Sequence, residues 1–74
     1  MARSRFEQER ERLGHQVRSR RIELGMTQED AAHAMMLSTR HYQKLESGEL
    51  NVTLRTLVKV ATALRFELYD LFAR

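Results

Sequence analysis

Apolar residues recur along this chain at the spacing of helix, in runs separated by short polar breaks. Over Arg3–Leu24 the stripe is Phe6, Leu13, Val17 and Leu24, with Arg10 and Arg21 falling on the same face. Gly14 interrupts it at a cost of about 1 kcal/mol relative to alanine. It either admits close packing or marks where an N-terminal extension, residues 1–12, joins the helix proper. Gly25 stands where a left-handed C-cap would end the element. Thr27, Ser38 and Thr53 then each precede a new apolar run, and each is a favoured N-cap. Met26 with Ala31, Leu37 with Tyr42, and Val52 with Leu57 are spaced as hydrophobic staples, and Asp30 completes a capping box with Thr27. The spacing predicts helices over Gln28–Met35, Thr39–Ser47 and Leu54–Leu64, and a last short one at about Leu68–Phe72. Expected inward faces are Ala31, Ala32 and Met35, then Tyr42 and Leu45, then Leu54, Leu57, Val58, Ala61 and Leu64. The predicted fold class is all-α: five helices around one core, in a single domain spanning residues 1–74.

The stretch Thr27–Gly48 is the centre of this pattern. Two short helices joined by a tight turn, inside a compact helical domain, are the arrangement that presents the second helix to the major groove. With Tyr42 and Leu45 turned inward, Thr39, Arg40, Gln43 and Lys44 occupy the opposite face. Arginine and lysine suit guanine acceptors, glutamine suits adenine, and threonine can touch a thymine methyl. Gln28 sits in the first turn of its helix, where free amides favour a phosphate. Arg18, Arg20, Ser38, Asn51 and Thr53 complete the expected phosphate-contacting set, although the last three are also natural cap or turn residues.

Composition narrows the choice of function. A chain of 74 residues buries only about 60% of its unfolded surface, which favours short-loop helical packing. It has no Cys, and no apolar run approaches the roughly 18 residues of a membrane span. The charged start lacks a signal-peptide core, so a cytoplasmic protein with no membrane partner is expected. The net charge is +3, concentrated in residues 1–24 and 51–74, while 25–50 are net acidic. A small basic protein points to a polyanionic partner such as double-stranded DNA. Catalysis is not expected: His15, His33 and His41 lack metal-ligand spacing, and there is no nucleophile motif or phosphate-cradling glycine loop. Nor is a cofactor, metal or small-molecule ligand expected.

From Val17 to Phe72 the chain resembles the phage repressor and Cro type helix-turn-helix family, also called the xenobiotic-response-element family. The pieces that carry the likeness are RSRRIELGMTQEDAAHA, LSTRHYQKLESGELN, TLRTLVKVATAL and ELYDLF, in the family's order and spacing. The resemblance implies a five-helix domain that binds operator DNA as a two-fold dimer. It supports Gln28 as a phosphate contact and Thr39, Arg40, Gln43 and Lys44 as base readers. It also implies a largely buried ion pair between Arg21 and Glu46, whose disruption would cost about 3–5 kcal/mol. Four positions depart from the family: Met36 stands where glycine is usual at the turn, Ala31 for leucine, Val52 for proline and Arg65 for glycine. The segment NVTLRTLVKVATAL also resembles the controller proteins of restriction–modification systems. The function these readings imply is a homodimeric transcriptional regulator of a roughly palindromic operator. Leu68, Tyr69, Leu71 and Phe72 are its expected dimer surface; the blander reading has Tyr69 and Phe72 merely closing a monomer's core. The alternative is an antitoxin that covers a toxin and autoregulates its promoter, so further candidate partners are a toxin protein and RNA polymerase.

Overall fold

Ser4 opens the first helix, α1 (Arg5–Glu23), accepting from the Glu7 amide while the Glu7 carboxylate accepts from the Ser4 amide. This is a reciprocal cap whose Ser-x-x-Glu signature lies in the sequence, and it sets the helix start at Arg5 rather than Arg3. The computed structural model describes residues 3–71. Within them follow α2 (Gln28–Ala34), α3 (Thr39–Glu46), α4 (Leu54–Leu64) and a single 3₁₀ turn, Leu68–Leu71. The three expected caps are all made. Thr27 accepts from the Asp30 amide at 3.0 Å and Asp30 returns the favour at 2.9 Å, while Ser38 and Thr53 accept from the amides of His41 and Thr56.

All four helices end on a left-handed residue. In α1, α2 and α3 it follows the cap and in α4 it is the cap, and in each the next amide reaches back to a carbonyl five residues earlier: Met26 to Arg21, Leu37 to Ala32, Glu49 to Lys44 and Phe66 to Ala61. Gly25 and Gly48 fill two of the left-handed positions; Met36 (φ 55°) and Arg65 (φ 61°) fill the others. The turn at Met36 is therefore left-handed without a glycine, and backbone hydrogen bonds from Met36 to His33 and from Leu37 to Ala32 lead into α3.

The class is all-α, as expected, with four α-helices rather than five among the described residues. The terminal element is too short for an α-helix: Asp70 donates its amide to the Glu67 carbonyl and accepts from the Glu67 amide, closing one tight turn. The core gathers Val17 of α1, Ala31, Ala32 and Met35 of and beside α2, Tyr42 and Leu45 of α3, Val60 and Leu64 of α4, and Leu71. Three expected inward residues lie outside it. Phe6 is 58% exposed, with the Arg10 guanidinium 4.9 Å from its ring. On α4 the buried residues are Val60, Ala61 and Leu64, with Leu57 packed beside them, so Leu54 and Val58 are left exposed. Leu71, expected on the dimer surface, is instead 3% exposed, and Arg12 donates to its carbonyl at 3.2 Å. Phe72 lies outside the described residues.

Gly14 resolves the ambiguity of its position. A Cβ there would sit 2.4 Å from the Glu46 carbonyl oxygen and 2.9 Å from that of Leu45. The end of α3 rests directly on the backbone of α1, and glycine is what allows it.

Candidate nucleic-acid interface

α3 is amphipathic because its eight residues, TRHYQKLE, put Tyr42 and Leu45 on one face. Those two are buried, and α1 and α2 both pack against them. The face left over carries Arg40, His41, Gln43 and Lys44, all exposed, with Thr39 half-buried in the first turn. Four expected base readers thus share the one face of α3 that the protein does not cover.

Behind that face lies a charge network. Glu46, its side chain 5% exposed, accepts from Arg21 Nε at 2.5 Å and, more weakly, from Arg21 Nη2 at 3.4 Å. Arg21 Nη1 donates to the Met26 carbonyl at 2.9 Å, tying the same guanidinium to the loop before α2. The Tyr42 hydroxyl donates to Glu46 Oε2, and Gln28 Nε2 donates to Oε1 at 3.2 Å. Burial by itself would push the Glu46 carboxyl up, but hydrogen bonds from Arg21, Tyr42 and Gln28 outweigh it and hold the group below the usual carboxylate range. The Tyr42 hydroxyl moves the other way, raised by burial and then by its bond to the ionised carboxylate. The bond to Glu46 holds Arg21 all the more firmly protonated. Sequence reasoning reached the Arg21–Glu46 pair only through family resemblance, and it missed Tyr42 and Gln28 as its partners.

The expected phosphate contacts divide. Arg18 is exposed and free to reach outward. Ser38 and Thr53 are exposed at the starts of α3 and α4, with their oxygens engaged as caps. Asn51 is exposed, and its Oδ1 accepts from Arg10 Nη1 at 2.7 Å, which leaves its amide nitrogen available. Gln28 is committed at both ends, since its Oε1 also accepts from Gln43 Nε2 at 3.1 Å. Arg20 does not join the group. Its Nε donates to the Leu64 carbonyl at 2.9 Å, its Nη1 lies 3.8 Å from Glu23, and its guanidinium stands 5.9 Å from the Phe66 ring. It closes the C-terminal end of α4 onto α1. Arg10, read from the sequence only as part of a helix stripe, instead fixes the loop that carries Asn51.

Among the described residues no group of His, Cys, Asp and Glu could hold a metal ion, and no helix is long and apolar enough to cross a membrane.

Comparison with known proteins agrees with this geometry. Residues 17–71 match the model of the family described as helix-turn-helix. Two crystal structures of the clp gene regulator ClgR from Corynebacterium glutamicum are similar over 86% of this chain at 33% identity. Their TM-scores are 0.79 and 0.81, with 83% and 68% of the respective ClgR chains covered. The restriction-modification controller protein C.AhdI from Aeromonas hydrophila is similar over 84% of this chain and 94% of its own, at 34% identity and a TM-score of 0.79. No functionally curated protein matches the sequence.

Proposed function

We propose a dimeric, operator-reading role for a chain that belongs to the helix-turn-helix family, of the xenobiotic-response-element type, and is with it a DNA-binding regulator of transcription. The observation that carries the proposal is the exposed face of α3. Arg40, Gln43 and Lys44 project from a helix whose other face is fixed by two buried side chains and a buried carboxylate. A groove-reading helix needs this combination, because base discrimination depends on holding donors and acceptors in register. Thr39, Arg40, Gln43 and Lys44 read base edges. Arg18, Ser38, Asn51, Thr53 and the Gln28 N–H left uncommitted face phosphates. The operator is roughly palindromic, with half-sites about 34 Å apart on one face of the duplex.

Homodimerisation uses α4 and the 3₁₀ turn. Tyr69 is 71% exposed there, Leu68 stands half-buried beside it, and the exposed Leu54 and Val58 add apolar area. Residues 1–74 act as one module, in which α1 begins at Arg5, ahead of the family-matched segment that starts at Val17. The likeness to a restriction-modification controller protein supports a role at a promoter of that kind.

Selection of bound sequences from a random duplex pool tests the reading. It is expected to return paired half-sites in opposite orientation, bound less tightly as salt rises because phosphate contacts release counterions. Arg40→Ala is expected to relax preference at one position in each half-site, by about 1–3 kcal/mol. A pool that returned no preferred sequence would overturn the base-reading role. A protein that stayed monomeric on and off DNA would overturn the homodimer and leave the Tyr69 surface to a different protein partner.

A further inference from the structure

Two arginines of α1 grip the C-terminal segment by its main chain, one at each end. Arg20 Nε donates to the Leu64 carbonyl at 2.9 Å, and Arg12 Nη2 donates to the Leu71 carbonyl at 3.2 Å. We infer that Arg12 and Arg20 are positioning residues for operator recognition, fixing the 3₁₀ turn relative to α3 and so the half-site spacing that the protein selects. This role rests on the reading of α4 and the 3₁₀ turn as the dimer surface and of α3 as the base-contacting helix.

The two reading helices of a dimer are related to each other only through its association surface. Their separation therefore depends on how rigidly that surface is joined to α3 within each protomer. α1 makes the join. On one side it carries α3, whose end rests on Gly14 and whose Glu46 pairs with Arg21. On another it carries residues 64–71, which include the exposed Tyr69. Leu64 and Leu71 are buried, but apolar burial is non-directional and holds the segment in place without fixing its angle. Hydrogen bonds from a charged donor to a carbonyl depend on angle as well as distance. Two of them, about 12 Å apart along α1 at 1.5 Å per residue, leave the segment little room to swing.

Each guanidinium is itself held by a glutamate one turn away. Glu9 Oε2 accepts from Arg12 Nε at 3.1 Å, and Glu23 Oε2 lies 3.8 Å from Arg20 Nη1. In both arginines one nitrogen of the planar fork faces the carboxylate and another faces the carbonyl. The Arg20 guanidinium also stands 5.9 Å from the Phe66 ring, between α4 and the 3₁₀ turn. On the duplex, one added base pair moves a half-site about 3.4 Å along the axis and turns it by about 35°. A stiff dimer meets one spacing; a dimer whose surface swings meets the neighbouring ones as well.

The test uses the full chain, an operator recovered from random-pool selection, and duplexes with the same half-sites one base pair closer together or farther apart. The unmutated protein is expected to favour the selected spacing by about tenfold or more, because a mismatched spacing must be met by deforming the DNA. Arg12→Met with Arg20→Met is expected to lower that preference by about threefold or more, since the protein then yields in place of the duplex. Arg18→Met removes a charge from the same helix and should weaken all three duplexes by one factor. A second readout needs neither DNA nor dimer. The chain has no cysteine, so nitroxide labels at Ser47→Cys and Glu67→Cys report the distance from the end of α3 to the C-terminal segment. Dilution with unlabelled protein keeps the measured pair within one protomer. The distance distribution should be narrow and should broaden by several ångströms in the double arginine variant. Circular dichroism and sedimentation check that variant, and if it is unfolded or monomeric each single variant is measured in the same way. An unchanged distance distribution, or a spacing preference that survives the substitutions, would overturn the inference. An unmutated protein that bound single half-sites as a monomer would bring down the dimer reading and the inference together, a result visible before either arginine is changed.

Discussion

The seam between α1 and α3 buries charge, whereas the outer surface of α4 and the 3₁₀ turn exposes apolar side chains. At the seam, Arg21 and Glu46 meet within the protein, and Gly14 lets the α3 backbone rest on α1. On the other surface Leu54, Val58 and Tyr69 are 66%, 48% and 71% exposed. Each arrangement is expensive if stability alone is considered. A buried ion pair roughly breaks even against well-packed apolar residues, and exposed apolar area returns nothing to a lone monomer. The difference is instructive because each expense falls where a function would need it. The seam fixes the angle of the helix proposed to meet a rigid duplex. The apolar surface is free to associate.

The largest expected effect comes from breaking the seam. Glu46→Ala leaves Arg21 buried without its carboxylate and frees Tyr42 and Gln28, at an expected cost of about 3–5 kcal/mol by denaturant unfolding. The pH dependence follows from the same group. Because the folded protein holds the Glu46 carboxyl below its ordinary value, its contribution is complete above that value and drains away as pH falls through the folded one. Tyr42 acts in the opposite sense, since its folded value is raised, and its contribution is lost only in strongly alkaline solution. A Glu46→Ala protein with an unchanged acid unfolding profile would show that the seam does not depend on this charge.

The other region is tested by placing charge on it. Val58→Asp or Tyr69→Asp should leave the monomer folded, as neither side chain is in the core. Sedimentation should show the dimer lost, and affinity for a paired operator should fall on the order of a hundredfold as the two half-sites cease to be bound together. Unchanged sedimentation would locate the association surface elsewhere.

Much of this contrast was legible in the sequence, though unevenly. Thr27, Ser38 and Thr53 announced three helices because capping chemistry is local, and α4 begins and ends where the pattern placed it. The Ser4–Glu7 box is equally local, a Ser-x-x-Glu signature at the head of a charged run. Val58 reads as a core residue in the sequence because LVKVA offers two valines two positions apart, and only packing against the other helices decides that Val60 turns inward. The contacts of Arg20 and Gln28 within the protein are not foreseeable from the sequence, because a polar side chain on a helix carries no record of its tertiary partners. Their engagements with Leu64 and Glu46 span 44 and 18 residues of sequence. What sequence conveys well here is the periodic and the adjacent. What it conveys poorly is which polar groups are already spent.

Gly14→Ala sharpens the seam at one atom. The added methyl would meet backbone carbonyls that cannot rotate away, so α3 must lift from α1, at about 1–3 kcal/mol. Because the shift tilts α3, operator affinity should fall by more than unfolding alone accounts for when both are measured at a temperature where the variant is folded. A stability loss with intact operator binding would mean that the angle of α3 is set at its other contact, with α2.

That contact contains the smallest expected effect. Met36 holds a left-handed conformation at φ 55° with 79% of its surface exposed, so its side chain contributes little packing to offset the backbone strain. Glycine adopts the same conformation without a Cβ penalty, and the flanking bonds from Met36 to His33 and from Leu37 to Ala32 involve only backbone atoms. Met36→Gly should therefore keep the turn and stabilise the fold by about 1 kcal/mol, the left-handed penalty being partly offset by the greater freedom of glycine in the unfolded chain. Base preference at every operator position should be unchanged, since the hydrogen bonds that aim α3 are the same. A variant of altered preference would show that the methionine itself, exposed at the turn between α2 and α3, touches the DNA.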